Sequence, residues 1–200
     1  MKKFLLTALI AGIPAAPAFA ATYISGSIGS GLAGNTSFTQ AGGAVAEDVM
    51  KWKSGTPFVG AIGIRHDRFR AEIALGYQSH ELDKLKDSDG NYVSPTGPVS
   101  SVSAFTFMLN GYYDINFKLV SPYVMTGIGN AALHPSDPAF TAKGVFTWQL
   151  GTGVGIRAAK DLTVDLGVRY LKPGSFEDSS NSLKASVSYT NILAGLRYDF

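Results

Sequence analysis

The sequence predicts an all-β protein, an eight-stranded antiparallel transmembrane β-barrel. Three observations predict it. Eight segments of about ten residues alternate apolar and polar side chains, the length a tilted strand needs to cross a bilayer. The connections between them alternate short and long, the rhythm of a membrane barrel with short turns on one side. The chain also opens with the layout of an export signal.

The opening reads MKKFLLTALIAGIPAAPAFA, two lysines followed by an apolar run and then Ala18-Phe19-Ala20. This is the three-part pattern of a cleaved secretory signal, with cleavage expected between Ala20 and Ala21. A membrane anchor needs a longer uninterrupted apolar run, and Pro14 and Pro17 break this one. The expected division is a signal peptide over 1–20 and one barrel domain over 21–200. Loss of Lys2 and Lys3 leaves fifteen Lys and Arg against fifteen Asp and Glu. A neutral mature chain gives no reason to expect a nucleic-acid partner.

Composition agrees. Among 200 residues there are 23 Gly, nine Tyr and twelve Phe, a mixture that suits strands and tight turns. Cysteine is absent, so disulfides, thiol nucleophiles and Cys-ligated metals are excluded. No cofactor motif is expected, for the reasons given below.

Strand by strand, the first segment, ATYISGSIGSGL, has small residues on both faces, so its faces stay unassigned. In PFVGAIGIRHD, Phe58, Gly60, Ile62 and Ile64 oppose Val59, Ala61, Gly63 and Arg65. In RFRAEIALGYQ, Phe69, Ala71, Ile73, Leu75 and Tyr77 oppose Arg70, Glu72, Ala74, Gly76 and Gln78. In SAFTFMLNGYYDI, Phe105, Phe107, Leu109 and Tyr113 oppose Thr106, Met108, Asn110, Tyr112 and Asp114. SPYVMTGIGNAAL is again ambiguous. In VFTWQLGTGVGIR, Phe146, Trp148, Leu150 and Val154 oppose Gln149, three glycines and Arg157. In DLTVDLGVRYLK, Leu162, Val164, Leu166, Val168 and Tyr170 oppose Asp165, Gly167 and Arg169. The last segment, NILAGLRYDF, sets Ile192, Ala194, Leu196, Tyr198 and Phe200 against Arg197 and Asp199.

A small barrel of this kind turns its apolar rows to lipid and its polar rows to a narrow filled interior. The aromatic residues fall near strand ends, as interfacial girdles require. Phe69 and Tyr113 are expected at the periplasmic level with Tyr198 and Phe200. Phe58, Tyr77, Phe105, Trp148 and Tyr170 are expected at the outer level.

With a signal peptide, alternating strands and the ending ILAGLRYDF, the chain resembles the opacity-type and OmpA-type small outer-membrane β-barrels. The resemblance implies a monomer in the Gram-negative outer membrane, among outer-membrane lipid and lipopolysaccharide. It also implies that Ile192, Ala194, Leu196, Tyr198 and Phe200 form a signal similar to the one read by the barrel-assembly machinery. No peptidoglycan-binding domain is expected after the last strand.

The inner rows carry Arg65, Arg70, Glu72, Asp114, Arg157, Asp165, Arg169, Arg197 and Asp199. Buried singly these charges are costly, but in pairs they share hydrogen bonds. The expected arrangement is a plug of ion pairs filling the lumen, because eight strands leave room only for side chains. The competing arrangement is a charged constriction in a narrow pore for small solutes.

Other motifs carry less. Gly151, Gly153, Gly155 and Ala158 match G-x-G-x-x-A in form, but a strand rather than a helix follows, so a dinucleotide site is not expected. GIGNAA fails in the same way. DSDGNY resembles part of a calcium loop, yet its glycine is misplaced and Pro98 stands where the closing Glu belongs. Ser79 and His80 are adjacent, so in a strand they point to opposite faces and cannot pair as nucleophile and base. No enzyme is expected, although some small barrels modify lipid A. The loops carry Phe38, Val49, Met50, Trp52, Tyr92, Val93 and Phe140 among polar residues, a surface for a host or surface ligand. A soluble lipid-carrier barrel is the strongest rival fold, and it would reverse the faces, with apolar rows inside and Arg70, Glu72 and Arg197 outside.

Overall fold

The computed structural model describes residues 21–34, 36–40, 45–87, 89–94, 101–135, 144–177 and 183–200. The signal segment with Ala18 and Ala20, the loop with Phe140 and the position of Pro98 lie outside these residues. Alternating side chains favour extended backbone here because each strand has two unlike environments to satisfy.

In chain order the strands are β1 (Ala21–Ala33), β2 (Thr36–Gln40), β3 (Val45–Trp52), β4 (Phe58–His66), β5 (Phe69–Lys86), β6 (Tyr92–Val93) and β7 (Ser101–Asp114). They continue as β8 (Val120–Pro135), β9 (Gly144–Arg157), β10 (Leu162–Pro173), β11 (Phe176–Glu177), β12 (Leu183–Ser186) and β13 (Tyr189–Asp199). Eight of them, β4-β1-β13-β10-β9-β8-β7-β5, pair in that order, and β5 pairs back onto β4. All these pairings are antiparallel and the sheet closes on itself. Closure matters because a bilayer interior offers no water to an open edge.

The faces decide against the soluble rival. Phe107, Leu109 and Leu196 stand about half exposed on the outside of the isolated chain, whereas Arg70, Glu72 and Arg197 are buried inside. In water that belt would be a severe liability, and in hydrocarbon it is the solvent-matched surface. The two ambiguous strands resolve the same way. Tyr23 of β1 and Tyr123 and Met125 of β8 point inward, while Ile24, Ile28, Val124 and Ile128 point outward.

Glycine on facing strands makes room for the inward tyrosines. Tyr23 lies opposite Gly63, and a Cβ there would sit 2.5 Å from the Tyr23 ring. Tyr123 lies opposite Gly153, where a Cβ would meet its hydroxyl at 2.4 Å. Large side chains thus fold across small ones, which is how a narrow lumen is filled without strain.

The long connections hold more structure than the sequence pattern suggests. Strand β5 runs on to Lys86, beyond the outer aromatic level, and β3, β2, β12 and β11 add to it in that order, with β6 on its other side. The result is a sheet standing above the barrel on one side.

Candidate functional site

Two features could carry function, the lumen and the outer sheet. In the lumen, Arg70 of β5 meets Asp114 of β7 in a bidentate pair, Nε–Oδ2 at 2.7 Å and Nη2–Oδ1 at 2.8 Å. The guanidinium also lies over the Tyr112 ring at 4.1 Å and near that of Tyr123 at 5.2 Å. Two carboxylate oxygens and aromatic faces together replace the water a buried cation loses.

Glu72, two residues along, accepts hydrogen bonds from the hydroxyls of Tyr23 (3.0 Å) and Tyr112 and from Asn110 Nδ2 (3.0 Å). Gln149 Nε2 donates to Asn110 Oδ1, and Arg169 Nη2 donates to the Tyr112 hydroxyl at 3.1 Å. Arg197 Nε stands 3.5 Å from Asp165 Oδ2, and Arg65 Nη1 stands 3.5 Å from Asp199 Oδ2 at the periplasmic rim. Four arginines (65, 70, 169 and 197) therefore face four carboxylates (72, 114, 165 and 199) across one lumen.

Arg157 corrects the expectation drawn from its row. It keeps the inward parity of β9, but it falls at the end of the strand and is exposed, outside the lumen network. The strand ends before that side chain has a lumen to enter. The sequence reading also gave no role to Tyr23, Tyr112, Tyr123, Asn110 and Gln149. The signal available was their position opposite or beside inward glycines and carboxylates, which the ambiguous faces of β1 and β8 concealed.

Among the described residues, cavities of about 30 Å³ and 20 Å³ lie in the lumen, each with room for one or two waters. The larger is lined by Gln78, Asn191, Thr106 and Gln149. Asn191 Nδ2 donates to Gln78 Oε1 at 2.9 Å there. Above it, His80 stacks on Tyr189 with ring centres 5.1 Å apart, and Pro57 and Pro173 are fully buried. A reciprocal backbone bridge between Gly31 and Gly55, both bonds 2.8 Å, ties the loop before β4 across this end.

Ser79 and His80 do point to opposite faces. Ser79 Oγ accepts from Ser103 Oγ at 3.2 Å on the outside, and His80 Nδ1 lies 3.1 Å from the Lys53 carbonyl on the inside. Among the described residues no group of three or more His, Asp or Glu side chains is placed to hold a metal ion.

The aromatic residues lie at strand ends in register. Phe69 pairs with Tyr113, their rings 5.3 Å apart, at the end where short turns join the strands. Phe58, Tyr77 and Phe105 are consecutive cross-strand partners at the outer end. Trp148 and Tyr170 touch there with ring centres 5.7 Å apart. At the last strand, Tyr198 and Phe200 meet edge to face at 5.3 Å, and Phe200 N donates to the Thr22 carbonyl at 2.9 Å.

Among solved structures the chain is similar to the Neisserial surface protein A, with TM-score 0.58 and 16% identity over 90% of this chain and 97% of that one. It is also similar to the outer membrane protein AlkL, with TM-score 0.50 and 15% identity over 93% of each chain. The N-terminal barrel domain of Pseudomonas aeruginosa OprF matches with TM-score 0.47 and 11% identity, over 90% of this chain and 97% of that one. At such identities the likeness is one of fold. No curated protein matches the sequence. The model of the outer membrane protein beta-barrel domain matches residues 5–200. With its closed eight-stranded barrel and lipid-matched exterior, the chain belongs to that outer-membrane β-barrel family.

Proposed function

We propose that this barrel is a surface-display anchor. It holds an extracellular sheet above the outer membrane for interaction with a host or surface ligand, and it does not serve as a conduit. The supporting observation is the contrast between its two halves. The lumen holds paired charges and a hydrogen-bonded cluster around Glu72, with water-sized cavities among the described residues, whereas β5 runs past the outer aromatic level and recruits β3, β2 and β12. Strands that leave the bilayer need no longer alternate for lipid and are free to present side chains.

On this reading residues 1–20 are removed after export, between Ala20 and Ala21. The row Ile192, Ala194, Leu196, Tyr198 and Phe200 is recognised by the barrel-assembly machinery, and the protein functions as a monomer within lipopolysaccharide and phospholipid. It carries out no chemistry. Recording from the purified full chain in planar bilayers tests the central point. Brief, rare, small openings are expected, and large stable ohmic steps would establish a channel in place of an anchor.

A further inference from the structure

The short turns at one end of the barrel differ in chemistry. The turn between β4 and β5, His66-Asp67-Arg68, is charged, and that between β9 and β10, Ala158-Ala159-Lys160-Asp161, is small and charged. The turn between β7 and β8 instead exposes Ile115, Phe117 at 63% and Leu119 at 62%. Water disfavours large apolar side chains held out at a tip, so such a patch marks an interaction surface. The backbone here is tied to its neighbours. Ile115 N donates to the Pro122 carbonyl at 2.8 Å and Phe117 N to the Val120 carbonyl at 3.1 Å. From β9, Arg157 N donates to the Leu119 carbonyl at 2.9 Å. A turn bonded in this way holds its side chains out from the barrel end.

The apolar tip continues an interface already described. Ile115 and Phe117 extend the lipid-facing row of Leu109 on β7, and Val120 extends that of Val124 and Ile128 on β8. Cations stand around the tip. Lys118 lies between Phe117 and Leu119, and Arg157 follows Leu119 through its backbone bond. Arg68 Nη1 donates to the Tyr113 hydroxyl at 3.3 Å. All three cations are exposed, and among the described residues none makes an ion pair with a carboxylate. Of the nearby carboxylates, Asp114 points inward to Arg70, and Asp67 stands 3.7 Å from His66 Nε2.

From this arrangement we infer that the β7–β8 turn, with Lys118, Arg157 and Arg68, forms a binding site for an anionic phospholipid of the leaflet at the short-turn end. Phe117 and Leu119 enter the boundary between acyl chains and headgroups, where apolar and aromatic side chains are stabilised. The cations meet the phosphate, which lies at that same boundary. Each guanidinium offers paired N–H donors to its oxygens. Arg157, exposed outside the lumen network, thereby gains a partner. A protein is the competing occupant of an apolar tip, and continuity with the lipid-facing rows favours lipid. The inference rests on the barrel's place in a membrane and is independent of what the outer sheet binds.

The chain has no cysteine, so Leu119→Cys labelled with bimane reports on this turn alone, the apolar label standing in for the leucine. Ala159→Cys, in the β9–β10 turn, is the comparison. The full chain is folded into phosphatidylcholine nanodiscs that carry spin-labelled phosphatidylglycerol or spin-labelled phosphatidylcholine at equal mole fraction. Quenching at Leu119 is expected to be roughly three- to fivefold greater with phosphatidylglycerol. Aqueous iodide is expected to quench at Ala159 about twofold or more over Leu119. The triple variant Arg68→Gln, Lys118→Gln, Arg157→Gln should bring the two lipids to parity and leave Leu119 shielded from iodide. Lys118→Gln or Arg157→Gln alone should remove part of the preference, and heat-modifiable gel mobility checks that each variant is folded. Equal quenching by the two lipids in the parent, or a preference that survives the triple variant unchanged, would overturn the site. Iodide access at Leu119 equal to that at Ala159 would place the turn in water and overturn it as well, leaving the apolar tip to a protein partner.

Discussion

Arg70 and Asp114 form a bidentate ion pair buried in the barrel lumen, with both side chains almost fully withdrawn from solvent. They come from adjacent strands but not from directly opposite positions. Arg70 is the register partner of Tyr112, so the guanidinium reaches diagonally past that ring to the carboxylate. A diagonal pair of this kind locks the register of β5 on β7, since a one-residue slip of either strand would turn its charge to lipid and leave the other buried alone.

Removing one partner leaves the other charge buried alone. Asp114→Ala is expected to destabilise the folded barrel by about 3–5 kcal/mol. The double variant Arg70→Met, Asp114→Leu should recover most of that loss, because no charge is stranded. Urea unfolding in lipid vesicles, arranged as a double-mutant cycle, measures both.

The tyrosine-over-glycine packing gives a paired comparison. Gly63→Ala places a Cβ against the Tyr23 ring and is expected to cost about 1–3 kcal/mol. Gly60→Ala, on the lipid face three residues earlier, has no atom within 4 Å of the new Cβ and should change stability by less than about 0.5 kcal/mol. Equal effects at the two sites would contradict the packing described.

Loss of the plug should change conduction. Glu72 takes three donors and Arg169 closes the network through Tyr112. The double variant Glu72→Ala, Arg169→Ala joins the two small cavities and is expected to raise single-channel conductance severalfold over the parent chain. No increase in planar-bilayer recordings would mean that the closure lies elsewhere, for instance at the His80–Tyr189 stack.

Orientation in lipid predicts a depth dependence. Leu109→Arg, in the outward row of β7, is expected to cost about 2–4 kcal/mol in vesicles. Lys84→Arg, in the outer sheet, should be close to neutral. A small effect at Leu109 would place its strand outside the hydrocarbon.

Phe200 separates assembly from stability. Its side chain is largely exposed at the barrel rim, so Phe200→Ser should change unfolding free energy by less than about 1 kcal/mol. In cells the same variant is expected to lower outer-membrane levels severalfold. Unchanged levels in fractionated membranes would remove the terminal residue from the assembly signal.

What the linear sequence determined by itself was the period. Strict alternation in RFRAEIALGYQ, SAFTFMLNGYYDI and NILAGLRYDF assigns each side chain to lipid or lumen, because a strand has only two faces. The number of such strands and the rhythm of their connections then lead to a closed barrel. Partners were beyond its reach. That Arg70 takes Asp114, that Glu72 takes Tyr23 and Tyr112, and that Arg157 ends outside the lumen depend on register and on where each strand leaves the membrane. The same holds for Lys51 and Lys84, which lie in polar segments whose pairing no apolar period announces. Only the closed sheet, by setting which residue lies across from which, turned the lumen charges into a plug and brought Lys51 opposite Lys84.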